Sequence, residues 1–241
     1  MLSCRRKECA EAWLVDVRRV TGANIMIVGA EHDEGWNVLI EKAWQWGQGG
    51  QDSEESRHVF IECVQSPHAA PNFHQLDDEL IYKWVGCFWC VLFCLVGDKP
   101  RADQLWKTEL GDGDCPSITH LKALILNRVD EVRWRCDAKW VQRLNEIVAE
   151  FCNENVLLSV KQAQDLVDEV NIELRNSFWL KVIMGVDHAM TKLLIVGADH
   201  VTSLIAMIEA SVAISLHFKV IQQKHSRGCR TLEKSKDNAI V

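Results

Sequence analysis

Two stretches of this chain carry the same Gly-Ala-acid-His order. Gly29-Ala30-Glu31-His32 follows the apolar run Ile25-Met26-Ile27-Val28. Gly197-Ala198-Asp199-His200 follows Leu193-Leu194-Ile195-Val196, at an offset of 168 residues (Gly29 to Gly197). The match runs on without a gap, so that Ile40-Glu41 recurs as Ile208-Glu209, and the acid of each copy keeps its charge. An imidazole trades protons near neutral pH and ligates metals. A third candidate is Glu62, at the end of the run His58-Val59-Phe60-Ile61. A carboxylate there is buried and needs a partner. That partner is either an arginine such as Arg175, or the two histidines, which Glu62 would join as a ligand or proton acceptor. Two imidazoles and a carboxylate, from His32, His200 and Glu62, suit Zn, Mn or Fe. Such an ion activates its bound water near neutral pH.

Each copy needs a strand to deliver it. The apolar runs 24–28 and 192–196 read as buried strands, each stopped by Gly and followed by a helix, at about 34–46 and 202–212. Glycine allows a sharp turn or close approach at the strand end, and the helix start points its positive end at the same place. In open α/β sheets, ligands bind outside the carboxyl ends of the strands. If the two strands are parallel members of one sheet, both histidines project from one edge. Further strands are expected at 58–63 and 215–222, and an amphipathic helix at 1–20. Residues 66–72, with two prolines, must be irregular. Helices are expected at about 76–96, 117–151 and 161–187. The fold class is α/β: a central mixed sheet of about four or more strands flanked by helices. Residues 1–222 form one domain, with a large helical insertion at about 74–188. Residues 223–241 form a basic, mobile tail.

Composition narrows the function classes. With 48% hydrophobic and 25% charged residues the chain is globular. A net charge of -7 argues against a nucleic-acid partner, which needs a basic field. The ten cysteines lie mostly in apolar stretches, and Cys87-Phe-Trp-Cys90 with Cys94 sits within an expected helix, as core rather than a redox motif. The opening residues lack an apolar signal core, so the expected location is cytoplasmic. The uncharged run Trp84–Val96 is thirteen residues long, short of a membrane span. His68 and His74 fall in the loop after Glu62, where the first expectation is that they are solvated and the alternative is that they add ligands or shape a lid; His188 imitates the motif but follows a helical run. Asp112-Gly113-Asp114 lacks the further acids of an EF-hand and reads as a turn. Ten tryptophans beside one tyrosine are unusual. Most should be core anchors, while some in the helices (Trp84, Trp89, Trp134, Trp140, Trp179) offer a surface for a protein partner.

At Gly29 to His32, Gly197 to His200 and Glu62, the chain resembles the Tiki/TraB superfamily, which includes erythromycin-esterase-like and ChaN-like proteins. The resemblance covers about residues 22–66 and 170–222. It implies two Gly-x-x-His motifs with a strand-end Glu between them. It also implies an Arg on the helix before the second motif, which Leu174-Arg175-Asn176 matches. The chain departs from the family after the first glycine, where Ala30 stands in place of the frequent Glu or Thr and the acid moves to Glu31. The activity implied is hydrolysis of a peptide, ester or amide bond, with or without a metal. The haem-binding branch is disfavoured by a single tyrosine, Tyr82. The expected catalytic group is Glu62, Glu31, Arg175 and Asp199, with Arg175 stabilising developing negative charge. The expected partner is a small-molecule or peptide substrate. The rival expectation is a non-catalytic interaction or toxin-like module on the same fold.

Overall fold

A computed structural model describes residues 25–32, 35–48, 57–62, 70–136, 138–153, 158–187, 190–211 and 218–222. The expected helix at 1–20, the tail, His68 and His188 lie outside them. The chain divides into two compact units, Met1–Leu76 with Val182–Val241, and Asp77–Lys181.

The first unit is built on a five-stranded sheet. Its strands are β1 (Ile25–Ala30), β2 (Arg57–Ile61), β3 (Phe73–Gln75), β4 (Thr191–Gly197) and β5 (Phe218–Gln222), in the order β3-β2-β4-β1-β5. A mixed sheet was expected, but every described pairing is parallel. Parallel neighbours need long crossovers, commonly helical. Helix α1 (Trp36–Gln48) follows β1, and helix α8 (Val201–Ser211) follows β4. Strands β1 and β4 are buried almost throughout, which explains their unbroken apolar runs.

The two Gly-Ala-acid-His copies end neighbouring parallel strands. Ala30 stands beside Gly197 and Gly29 beside Val196, one residue off the alignment of the repeat. Side chains alternate between faces along a strand, so a one-residue shift turns equivalent residues to opposite faces. Met26, Val28 and Ala30 join Leu193 and Ile195 in a core with Leu39, Ile40, Ala43 and Trp46 of α1. On the other face, a side chain at Gly29 would meet Val201 of α8. The connections agree: β1 to β2 moves two places one way, and β4 to β5 two places the other. Right-handed crossovers running in opposite directions put their helices on opposite faces.

Strand β3 was not expected. It is three residues long and carries His74, which a loop was expected to hold. Asn72 fastens it, its side-chain amide donating to the carbonyls of Gly47 and Arg57. Nδ1 of His58 and Nε2 of His74 are 2.8 Å apart, and His74 also stacks on Phe60.

In the second unit, α2 (Glu79–Leu95) is capped by Asp78, which accepts from the amides of Leu80 and Ile81. Gly97 ends it at a φ of 78°, the left-handed conformation glycine favours. Pro100 then sits in the first turn of α3 (Lys99–Leu105), capped by Asp98, where its missing N–H costs nothing. A π-helical turn, Trp106–Leu110, continues α3. Helices α4 (Ile118–Arg135) and α5 (Ala138–Cys152) divide the expected 117–151 run near Cys136. Helix α6 (Val160–Glu169) begins with a Ser159–Gln162 capping box and passes through a second π turn, Val170–Leu174, into α7 (Arg175–Met184). The core gathers Trp84, Phe88, Val91, Leu121, Leu144, Phe151 and Leu166. Cys87 and Cys90 are buried in it, and burial pushes the Cys87 thiol up to about 11 and the Cys90 thiol further. A redox pair needs the opposite shift. No described helix is long and apolar enough to cross a membrane.

The His58–His74 contact makes stability depend on pH. Burial, then the Lys192 ammonium, hold His58 below the usual 6.5. Burial, then His58, do the same to His74. The unfolded chain therefore binds more protons just below 6.5, and stability rises with pH there. Stability is expected to be full above about pH 6.5 and to fall on acidification through and below it. Urea unfolding midpoints between pH 7.5 and 5.5 check this, with a shallower fall in His74→Phe.

Candidate active site

The site lies at the carboxyl edge of the sheet, where β1 and β4 end side by side. Their connections leave in opposite directions there, the arrangement at which open α/β sheets bind ligands outside the strand ends. His32 lies two residues beyond the end of β1, at a bend. His200 closes a single 3-10 turn, Ala198–His200, between β4 and α8. Glu62 is the residue after β2, and its amide still donates to the Ile195 carbonyl of β4. That bond carries the carboxylate to the neck of the second copy.

Glu62 lies between the two imidazoles. Its Oε2 is 3.4 Å from Nε2 of His32, and its Oε1 is 3.7 Å from Nε2 of His200. The Gly197 amide donates to Oε2 at 2.5 Å. Glycine at that strand end leaves the site groups room. A Cβ on Gly197 would lie 3.0 Å from Glu62 Oε2, 3.3 Å from His32 Nε2 and 3.5 Å from His200 Cδ2. The two histidines differ in exposure, with 51% of the His32 side chain open to solvent against 4% for His200. The carboxylate is buried as the sequence implied, and a charge so placed needs compensating polar contacts.

Compared with known proteins, the chain matches no family model, no curated protein and no solved structure.

The other expected site residues are Glu31, Asp199 and Arg175. Glu31 and Asp199 occupy exposed positions next to His32 and His200. Arg175 belongs to the helical unit, directly after the second π turn. There its guanidinium is held by Asp77, with Nε and Nη2 donating to Oδ1 at 3.1 and 2.8 Å and Nη2 to Oδ2 at 2.9 Å. Trp179 adds its indole N–H to Asp77, and Arg175 Nη1 reaches Asn171. Among the described residues no three His, Cys, Asp or Glu side chains form a group that could hold a metal ion. Glu62 turns a separate oxygen to each imidazole. Asp112 and Asp114 are exposed in a turn, with Gly113 at a φ of 78°.

Among tryptophans expected to offer a surface, Trp84 and Trp179 are almost fully buried, and Trp134 is 88% exposed. Two residues that sequence reasoning passed over now matter. Trp36 stacks on His32 and Asp77 holds Arg175. Trp36 is four residues after His32 at a helix start, a spacing that hints at contact. Asp77 and Arg175 are 98 positions apart, and no local pattern joins them.

Two stability effects follow. Asp77→Ala leaves the buried Arg175 charge without its carboxylate and should cost about 3–5 kcal/mol. Gly29→Ala would put a Cβ 2.5 Å from the Val201 Cγ2, and overpacking of that kind costs about 1–3 kcal/mol. Denaturant unfolding of each variant measures both.

Proposed function

We propose that this protein is a hydrolase that activates water at the His32–Glu62–His200 trio to cleave an ester, amide or peptide bond. The observation that supports this reading is the buried Glu62 carboxylate held between the imidazoles of the two repeat copies, at the sheet edge where ligands bind in open α/β folds. A carboxylate beside an imidazole orients the ring and stabilises its protonated form, as the third member of a catalytic triad does. Glu62 does this for His32 from the Nε2 side. Nδ1 of His32 is then the base that takes a proton from water as the water adds to the substrate carbonyl. The same proton passes to the leaving alcohol or amine as the bond breaks. Buried His200 faces the far oxygen of Glu62 at 3.7 Å and bounds the carboxylate on that side. The resemblance to the Tiki/TraB superfamily agrees with this chemistry and rests on the motif residues alone.

The test is hydrolysis of a panel of aryl esters, aryl amides and short peptides by the purified protein, with and without added Zn, Mn or Fe(II). His32→Ala and Glu62→Gln are expected to lower kcat by about 10²–10⁴-fold, the usual contribution of a general base. A metal requirement lost together in His32→Ala and His200→Ala would assign an ion to the site. Absence of turnover on every probe, or variants as active as the parent, would sink the hydrolase reading.

A further inference from the structure

We propose that Trp36 is the positioning residue for His32, doing for the exposed imidazole of the first copy what burial does for His200 in the second. The inference rests on the hydrolase reading for its consequence, and on contact geometry for its mechanism. The two histidines are equivalent in the repeat but not in surroundings. His200 is closed in, so burial restricts its ring. His32 is half open, and a half-open imidazole rotates about both side-chain torsions unless something holds it. Glu62 touches it at one nitrogen only, 3.4 Å away, which fixes a direction but not a ring plane.

Trp36 supplies the plane. Its ring centroid is 4.1 Å from that of His32, with 17° between planes, a stacked contact at aromatic distance. The indole is itself anchored. Trp36 is the first residue of α1 and packs against the core formed by α1 and the sheet. One part of the indole is thus tied to the core, and a face is left for the imidazole. A ring lying flat on it keeps Nε2 turned to Glu62 and Nδ1 available to water. The second copy supports the assignment by contrast. The residue equivalent to Trp36 there is Leu204 (36 + 168), fully buried in α8. An aliphatic side chain suffices where burial already fixes the histidine.

Two readouts on the full chain test this. The first is proton NMR of the His32 ring C–H signals, assigned by their loss in His32→Asn. A stacked indole shifts them upfield. Trp36→Leu should abolish the shift, and Trp36→Phe should retain most of it. The second is kinetics on whichever ester, amide or peptide probe the parent protein turns over. Trp36→Leu should lower kcat by about three- to ten-fold, the range that one aromatic stack can account for, with KM unchanged. Trp36→Phe should recover most of that loss. Identical His32 shifts in the parent and Trp36→Leu would overturn the proposal. So would a lost shift with kcat unchanged, or a Trp36→Leu defect confined to KM. If no probe is turned over, the hydrolase reading fails by itself, and the ring shifts still decide whether Trp36 holds His32.

Discussion

The parallel pairing of β1 with β4, one residue off the alignment of their repeat, governs the rest of the first unit. Parallel neighbours end at the same edge, so two like sequences deliver their histidines to one place. The odd register turns equivalent side chains to opposite faces, and each copy therefore brings its own helix to a different side. Helix α1 covers one face and α8 the other, and the ends of β1 and β4 lie between them. An in-register pairing would have asked both helices to cover the same face.

That divergence explains why the site is made of small backbone and large functional groups. Gly197 has no side chain because the carboxylate and one imidazole occupy the space a Cβ would need. Gly29 has none because α8 passes over it. The two glycines look identical in the repeat and are needed for different reasons. One makes room for chemistry and the other for packing. Glu62 is held by a backbone amide and two imidazoles, a polar set that compensates for removing a carboxylate from water.

The helical unit follows the same rule that a buried charge needs a partner fixed in place. Asp77 stands where the chain passes into this unit, and Arg175 and Trp179 stand near where it leaves. Their contacts fasten the two ends of the insertion to each other. The second π turn adds a residue to the helix immediately before Arg175, which resets the direction in which the guanidinium leaves the helix axis. The tryptophans of this unit serve mainly as core, with Trp84 donating its indole N–H to the Ile125 carbonyl.

The sequence by itself determined the α/β class, the strands around Ile27 and Ile195, the long helices and the candidacy of His32, Glu62 and His200. Those signals are local: apolar runs, glycine stops, caps, and a repeat that reads without a gap. Strand β3 escaped notice because three residues that include His74 and Gln75 carry no periodic signal, and their pairing comes from β2. Helix α3 was not among the expected helices, because at seven residues with Pro100 in its first turn it shows little periodicity. Only the tertiary structure decided that β1 and β4 are neighbours and parallel, that their register is odd, and that Glu62 divides its two oxygens between the histidines. It also gave Arg175 to Asp77 and His58 to His74. The physical reason is that strand order and register are set by long-range burial and crossover geometry. Residues 168 apart can repeat each other letter for letter and still face opposite ways.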